Sequence, residues 1–252
     1  MSFAVPAEAY DRFMGVHSRQ LAPQLVDLAR LSSGDRALDV GCGPGALTAE
    51  LVARLGAGSV AAVDPSESFV AAAHARYPDV DVRRASAEAL PYADRAFDAA
   101  LAQLVVHFMT DPVAGLREMA RVTRPDRVVA ACVWDHAGGR TPVSVFWRAA
   151  RDLGLSTEDE SGLAGVREGH LVDLFRASGL RQVEQTALVA RVAYSSFDGW
   201  WKPFAFGVGP AGKVFLGLSL DQRARLRERC QELLPPAPFD LVSFAWAARG
   251  IV

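Results

Sequence analysis

The run Ala37-Leu-Asp-Val-Gly-Cys-Gly-Pro-Gly-Ala-Leu47 constrains the fold of this chain more tightly than any other stretch. Four strand-like residues enter a loop holding Gly41, Gly43 and Gly45, and a helix-period stripe of Leu47, Leu51, Val52 and Leu55 follows at once. A strand that turns through glycines straight into a helix is the first unit of an open α/β sheet. It sets bare backbone at the carboxyl edge of that sheet, where such folds bind their ligands. The next apolar run, residues 60–64, ends on Asp64 about 20 residues beyond the loop, a spacing that suits a ribose hydroxyl. The pattern predicts a cofactor with an adenosine end.

Strand-like and helix-like segments alternate through the middle of the chain, which predicts a largely parallel sheet. The expected strands are 37–40, 60–64, 80–84, 97–103 and 128–134, with two more at 182–192 and 242–248. Helices are expected after the glycine loop, from Asp64-Pro65-Ser66, and from Asp111-Pro112, an N-cap followed by proline in the first turn. Upstream, residues 6–31 read as two helices with Leu21, Leu25, Leu28 and Ala29 as their apolar stripe. Downstream, a helix over 170–178 closes at Gly179. The roughly fifty residues between the last two strands exceed what a minimal α/β unit needs. They contain Phe197, Trp200, Trp201, Phe204 and Phe206, a glycine-rich turn, and a charged helix over 221–234.

With 252 residues, the chain reads as one large domain able to bury an ample core without staples. A net charge of −2 supplies no field for nucleic acid or an anionic membrane, so neither is an expected partner. The five histidines are scattered and no Cys/His cluster has zinc-ligand spacing, so no metal is expected. Cys42, Cys132 and Cys230 read as reduced thiols. The first ten residues lack a signal-peptide pattern, and no 18-residue run is free of charge. A cytoplasmic protein is expected.

Gly41-Cys-Gly-Pro-Gly-Ala46 also fits the loose dinucleotide pattern G-x-G-x-x-A, so a nicotinamide or flavin enzyme has to be weighed. Asp39, two residues before the first glycine, would repel a pyrophosphate and suit a cation. Pro44 removes an amide from the loop that should cradle phosphate. No second dinucleotide-binding half follows. A cofactor with a positively charged, phosphate-free end fits better.

At these residues the sequence resembles the class I S-adenosylmethionine-dependent methyltransferases, in particular their small-molecule branch. The resemblance covers residues 10–135 through Leu38-Asp-Val-Gly-Cys-Gly-Pro-Gly45, Val63-Asp-Pro-Ser66, Ala85-Ser-Ala-Glu-Ala-Leu-Pro91 and Phe97-Asp-Ala-Ala-Leu-Ala-Gln103. It implies a Rossmann-like, doubly wound, seven-stranded and mostly parallel α/β sheet with helical cap insertions. It also implies S-adenosylmethionine as cofactor and a small-molecule methyl acceptor. Gly41 and Gly43 would admit the methionine moiety, with Asp39 near its ammonium group. Asp64 would accept both ribose hydroxyls, and Ser86 with the Ala87 backbone would read the adenine edge. The family often carries Asp where Ser86 stands, so adenine affinity is expected to be modestly lower. Gln103 would line the methionine side, and Tyr10 and Ser18 match a segment that closes over the cofactor. Arg124-Pro-Asp-Arg127 replaces the family's Pro-Gly-Gly and is expected to reshape a surface loop.

The single domain would then divide into an N-terminal helical lid (1–31), a cofactor-binding core (32–135) and cap elements that contact substrate (136–196 and 197–240). His107, four residues past Gln103, falls on the loop facing the transferred methyl and is the expected base or substrate contact. A ring simply packed beside Phe108 is the competing reading. His17, Asp135 and His136 are weaker candidates, read as surface or loop residues. The aromatics of 197–206 are either the core of the cap or a wall of the acceptor pocket. Arg223, Arg225, Arg227 and Arg229 alternate with acids and read as a solvated helix face. A nucleotide-dependent oxidoreductase and a non-catalytic binding protein remain the alternatives.

Overall fold

The computed structural model describes residues 6–155 and 160–252. Seven strands form one sheet: β1 (Ala37–Val40), β2 (Val60–Asp64), β3 (Asp81–Arg84), β4 (Phe97–Gln103), β5 (Thr123–Trp134), β6 (Arg181–Tyr194) and β7 (Phe239–Ile251). Their order is β3-β2-β1-β4-β5-β7-β6. Neighbours from β3 through β5 pair in parallel, and β7 runs antiparallel to both β5 and β6. The neighbouring strands β1 and β4 pair as Asp39 with Leu101, which brings their carboxyl ends together.

Ten helices fill the connections among the described residues. They are α1 (Ala7–Tyr10), α2 (Val16–Ala29), α3 (Ala46–Leu55), α4 (Glu67–Arg76), α5 (Pro112–Val122), α6 (Ser144–Asp152), α7 (His170–Ala177), α8 (Phe197–Trp201), α9 (Gly209–Gly217) and α10 (Leu220–Leu233). The central strands are buried on both faces, hence their unbroken apolar runs. Ala37, Ala99 and Leu101 face a core shared with Leu21 and Leu25 of α2 and Leu47 and Leu51 of α3. Leu38, Val40, Ala100 and Ala102 face the opposite core, against Leu116 and Met119 of α5 and Phe175 of α7.

Three expectations differ from the structure. Residues 6–31 are not two separate helices: α1 runs through a π turn, Asp11–Gly15, directly into α2, because no residue there stops the chain. The helix α2 also packs on the sheet through Leu21, Leu25 and Ala29, so only the chain before it projects over the cavity described below. The expected glycine-rich turn is the helix α9, started by Pro210 in its first turn. Gly212 serves close packing there, since a Cβ on it would lie 2.5 Å from the Gly207 carbonyl carbon. Finally, β5 begins at Thr123 rather than Val128. Arg124-Pro-Asp-Arg127 extends it with Asp126 at φ +60, and Asp126 donates to the Val252 carbonyl at 3.1 Å. Arg124 and Arg127 tie this stretch to Asp98 and Asp35. The helix α6 lay outside the expectations.

A third core cluster builds the cap. Trp200, Trp201 and Phe204 pack with Phe13, Phe146, Trp147 and Phe215, with Phe146 stacked on Phe204 at 4.7 Å. These rings are the interior of the cap, so the pocket-wall reading of Trp200 and Trp201 is set aside. Two of the arginines of α10 are ion-paired, Arg227 with Asp198 and Arg229 with Asp152 and Glu232, and Arg223 donates to the Phe215 and Leu216 carbonyls.

Candidate functional site

The loop after β1 uses up its own backbone donors. Gly41 and Cys42 both donate to the Val63 carbonyl (2.8 and 2.9 Å), Gly43 donates to Asp64 Oδ2 (2.9 Å), and Gly45 donates to the Cys42 carbonyl (2.9 Å). Pro44 has no N–H to give. From residue 41 to residue 45, therefore, no amide is left for a pyrophosphate. Gly41 turns at φ +71 with Val105 pressed against it, so a Cβ there would sit 2.4 Å from Val105 Cγ2. Gly43, at φ +52, instead faces open space.

Two carboxylates stand at the strand ends. Asp39 is fully buried, and its Oδ2 accepts from Thr48 Oγ1 at 2.6 Å. Burial pushes its pKa up to about 7; the bonds from Thr48 oppose the shift and the nearby charge of Asp64 adds to it. Its Oδ1 has no hydrogen-bond partner. Asp64 Oδ2 holds Gly43, and its Oδ1 accepts from the Ser66 amide at 2.8 Å. Burial raises this carboxyl as well, against those two backbone bonds. A carboxylate offers about four acceptor positions, so two remain on Asp64 for a ligand.

A cavity of about 390 Å³ opens above these ends, inside the range of small-molecule sites. It is lined by Tyr10, Gly41, Gly43, Asp64, Ser86, Ala87 and Gln103 of the expected residues, and also by Phe69, Glu88, Val105 and Met109. Its walls carry the acids Asp64 and Glu88 and no lysine or arginine among the described residues. Gln103 Nε2 donates to the Ser18 carbonyl at 3.0 Å, while its Oε1 has no partner although the residue is buried. Asp39, Ser18 and His107 do not line this cavity. Ser18 is buried under it, shares a side-chain hydrogen bond with Tyr10, and donates from Oγ to the Met14 carbonyl at 3.0 Å. It thus holds the N-terminal segment to the end of β4. Leu104, next to Gln103, adopts φ +63, a rare conformation for a bulky residue and one that redirects the chain toward His107.

His107 belongs to a second, inner chamber of about 50 Å³, with Tyr10, Phe13, Phe108, Trp134 and His136 on its walls. Tyr10, Leu104 and Phe108 border both spaces. A wider outer cleft of about 460 Å³ meets the chamber at His136 and Glu160. His107 is buried beside Phe108 (ring centroids 3.9 Å) and near His136 (5.7 Å). Burial, followed by the charge of His136, holds its pKa well below the usual histidine value. His107, His136 and Glu160 come together although the sequence separates them widely. Trp134 ends β5 and His136 follows it, beside Gln103 at the end of β4 (Gln103 pairs with Cys132), and that register is the one sequence signal that could have found them.

Two of the weaker candidates, His17 and Asp135, have structural roles. His17 is buried in α2 rather than on the surface, because that face of α2 turns inward. Its Nε2 lies 3.1 Å from the Tyr194 hydroxyl, and burial lowers its pKa to about 4. Asp135 is likewise buried: its Oδ1 accepts from Gly138 N and Trp246 Nε1, both at 3.0 Å, and its Oδ2 from Arg140. It braces the loop that carries His136.

Residues 38–131 match a family described as a methyltransferase domain. The chain is 32% identical over 180 residues to the ubiquinone biosynthesis O-methyltransferase of Rhizobium etli, with 69% of each protein covered. The chain belongs to the class I S-adenosylmethionine-dependent methyltransferases. It is also 42% identical over 116 residues to a demethylmenaquinone methyltransferase of Mycobacterium sp. (strain KMS), and spans about half (49%) of that relative's length. Among solved structures, the YcgJ protein of Bacillus subtilis shares the fold, with a TM-score of 0.61 at 18% identity over 93% of this chain and 97% of that one. The cofactor of this family fits the residues present. A buried acceptor without a donor on the cavity wall (Gln103 Oε1), backed by the buried carboxyl of Asp39 at the end of β1, suits an ammonium group, and the open face of Gly43 admits a close-lying ligand.

Proposed function

We propose that this chain transfers the methyl group of S-adenosylmethionine to a small, planar, oxygen-bearing acceptor. The observation that carries the reading is the balance of the site: its glycine loop has no amide left to donate, while its buried acceptors are in excess. A dinucleotide needs the reverse, which argues against an oxidoreductase. The names of the relatives, an O-methyltransferase of ubiquinone biosynthesis and a demethylmenaquinone methyltransferase, support a phenol- or quinol-like acceptor.

On this reading Asp64 takes the ribose hydroxyls with its two remaining positions, and Ser86 with the Ala87 backbone takes the adenine edge. Gln103 faces the ammonium end, and the charge of Asp39 acts on it from behind the cavity wall. Tyr10 closes the cavity, and Ser18 positions both Tyr10 and Gln103. The cofactor brings an already activated methyl, so the protein's task is alignment and exclusion of water. His107 meets the acceptor from the inner chamber. At about 50 Å³ that chamber is a third of the roughly 150 Å³ of an apolar cavity that holds benzene, too little for an aromatic acceptor as it stands. Entry of the acceptor therefore requires the segment bearing Tyr10 and Phe13 to shift. The divisions at 1–31, 32–135, 136–196 and 197–240 remain our proposal for lid, core and cap, except that α2, α7 and β6 belong with the core, on or in whose sheet they pack.

Calorimetry should show saturable binding of S-adenosylhomocysteine and none of NAD, and labelled methyl should pass to at least one member of a phenol and quinol panel. Binding of NAD alone would reverse the assignment. The pH dependence has a definite sign. A cationic ligand favours ionised Asp39, which is mostly protonated below its pKa of about 7. Affinity for S-adenosylhomocysteine should therefore rise about tenfold from pH 6 to pH 8, and Asp39→Asn should flatten that rise. A flat profile in the unmodified protein would remove Asp39 from the ammonium site.

A further inference from the structure

We propose that His107, His136 and Glu160 form a binding site for a single divalent first-row metal ion, zinc in the first instance, at the throat between the inner chamber and the outer cleft. One nitrogen from each imidazole and one oxygen of Glu160 lie within 4.8 Å of one another. Metal–nitrogen and metal–oxygen bonds of about 2.0–2.2 Å would close this set around an ion with side-chain movements of about an ångström. His107 and Glu160 are buried, at 5% and 7% exposure, and His107 Nδ1 has no hydrogen-bond partner. A buried imidazole nitrogen without a partner is a cost that a metal ion removes.

The donor types select the ion. Two imidazoles disfavour magnesium and calcium, which take oxygen ligands, and a His₂Glu set with open positions is a recurrent zinc arrangement. The surroundings hold the ligands in place. Asp135 pins the His136 loop through Gly138, Arg140 and Trp246, and the Ala137 amide donates to the Val166 carbonyl at 3.2 Å. His136 Nδ1 already lies 3.7 Å from Glu160 Oε2. Three protein ligands leave at least one position open, and the inner chamber borders it with Tyr10, Phe13 and Trp134. That position would take an oxygen atom of the acceptor, a statement that rests on the methyltransferase reading. The metal site itself does not.

The test therefore measures metal, not turnover. Untagged full-length protein, stripped with a chelator, is titrated with Zn²⁺ against a chromophoric competitor. One equivalent should bind, and His136→Ala and Glu160→Gln should each weaken it at least tenfold. Circular dichroism melts check that both variants fold. Co²⁺ added to the unmodified protein should give visible bands of a nitrogen–oxygen site without sulfur charge transfer, and this holds even if a variant misfolds. Absence of stoichiometric binding, equal affinity in the folded variants, or a thiolate band would overturn the proposal. So would an interaction that proves to be only the His136–Glu160 ion pair. Metal bound without methyl transfer would leave this site standing while the functional reading fell.

Discussion

Asp64→Ala should lower affinity for S-adenosylhomocysteine at least about a hundredfold. The carboxylate would give two charge-assisted bonds to the ribose, and such bonds contribute about 1.5–3 kcal/mol each. A loss of about 3 kcal/mol or more corresponds to that factor in Kd. The same oxygens hold the Gly43 and Ser66 amides, so the substitution also loosens the glycine loop. The folding cost should remain smaller than the binding cost, because removing a buried carboxylate also removes its desolvation. Asp64→Asn should fail too: its amide nitrogen would confront one of those two donors. Calorimetric titration measures the first effect and thermal melts the second. Affinity within threefold of the unmodified protein would end the ribose assignment.

Gly41→Ala should be the most destabilising single change in the loop. A left-handed φ of +71 costs an alanine about 1–2 kcal/mol, and overpacking against Val105 at 2.4 Å adds about 1–3 kcal/mol. Val105 is β-branched and stiff at χ1, so it cannot swing aside cheaply. The double variant Gly41→Ala/Val105→Ala should recover the steric part and leave the backbone part, a coupling of at least about 1 kcal/mol in denaturant melts. Gly43→Ala is the contrast. Its Cβ meets nothing, so stability should fall by only about 1–2 kcal/mol, yet the new methyl would point into the cofactor's space and binding should suffer. Additive effects at Gly41 and Val105 would show that the two do not press on each other.

These variants separate what was legible from what was not. The core was legible because each of its signals is local. Alternate residues of 37–40 and 97–103 feed the two faces of the sheet, and the apolar runs announce burial on both sides. Asp111-Pro112 starts a helix in the structure as expected, with Asp111 Oδ1 accepting from the Ala114 amide at 3.0 Å. Around the cap the sequence misleads. Gly207, Gly209, Gly212 and Gly217 look like a turn, and only the approach of α9 to Gly207 shows Gly212 to be a packing residue.

The glycine loop, Asp64 and the alternating elements determined by themselves an open α/β sheet with a ligand at its carboxyl edge. Short-range sterics and hydrogen bonding suffice for that. Tertiary structure alone decided that the loop's amides are all consumed and that Asp39 Oδ1 and Gln103 Oε1 are left wanting donors. It alone brought His107, His136 and Glu160, carried by three separate connections, to one point. Such convergence depends on how the cap and the strand ends pack, and no spacing along the chain encodes it.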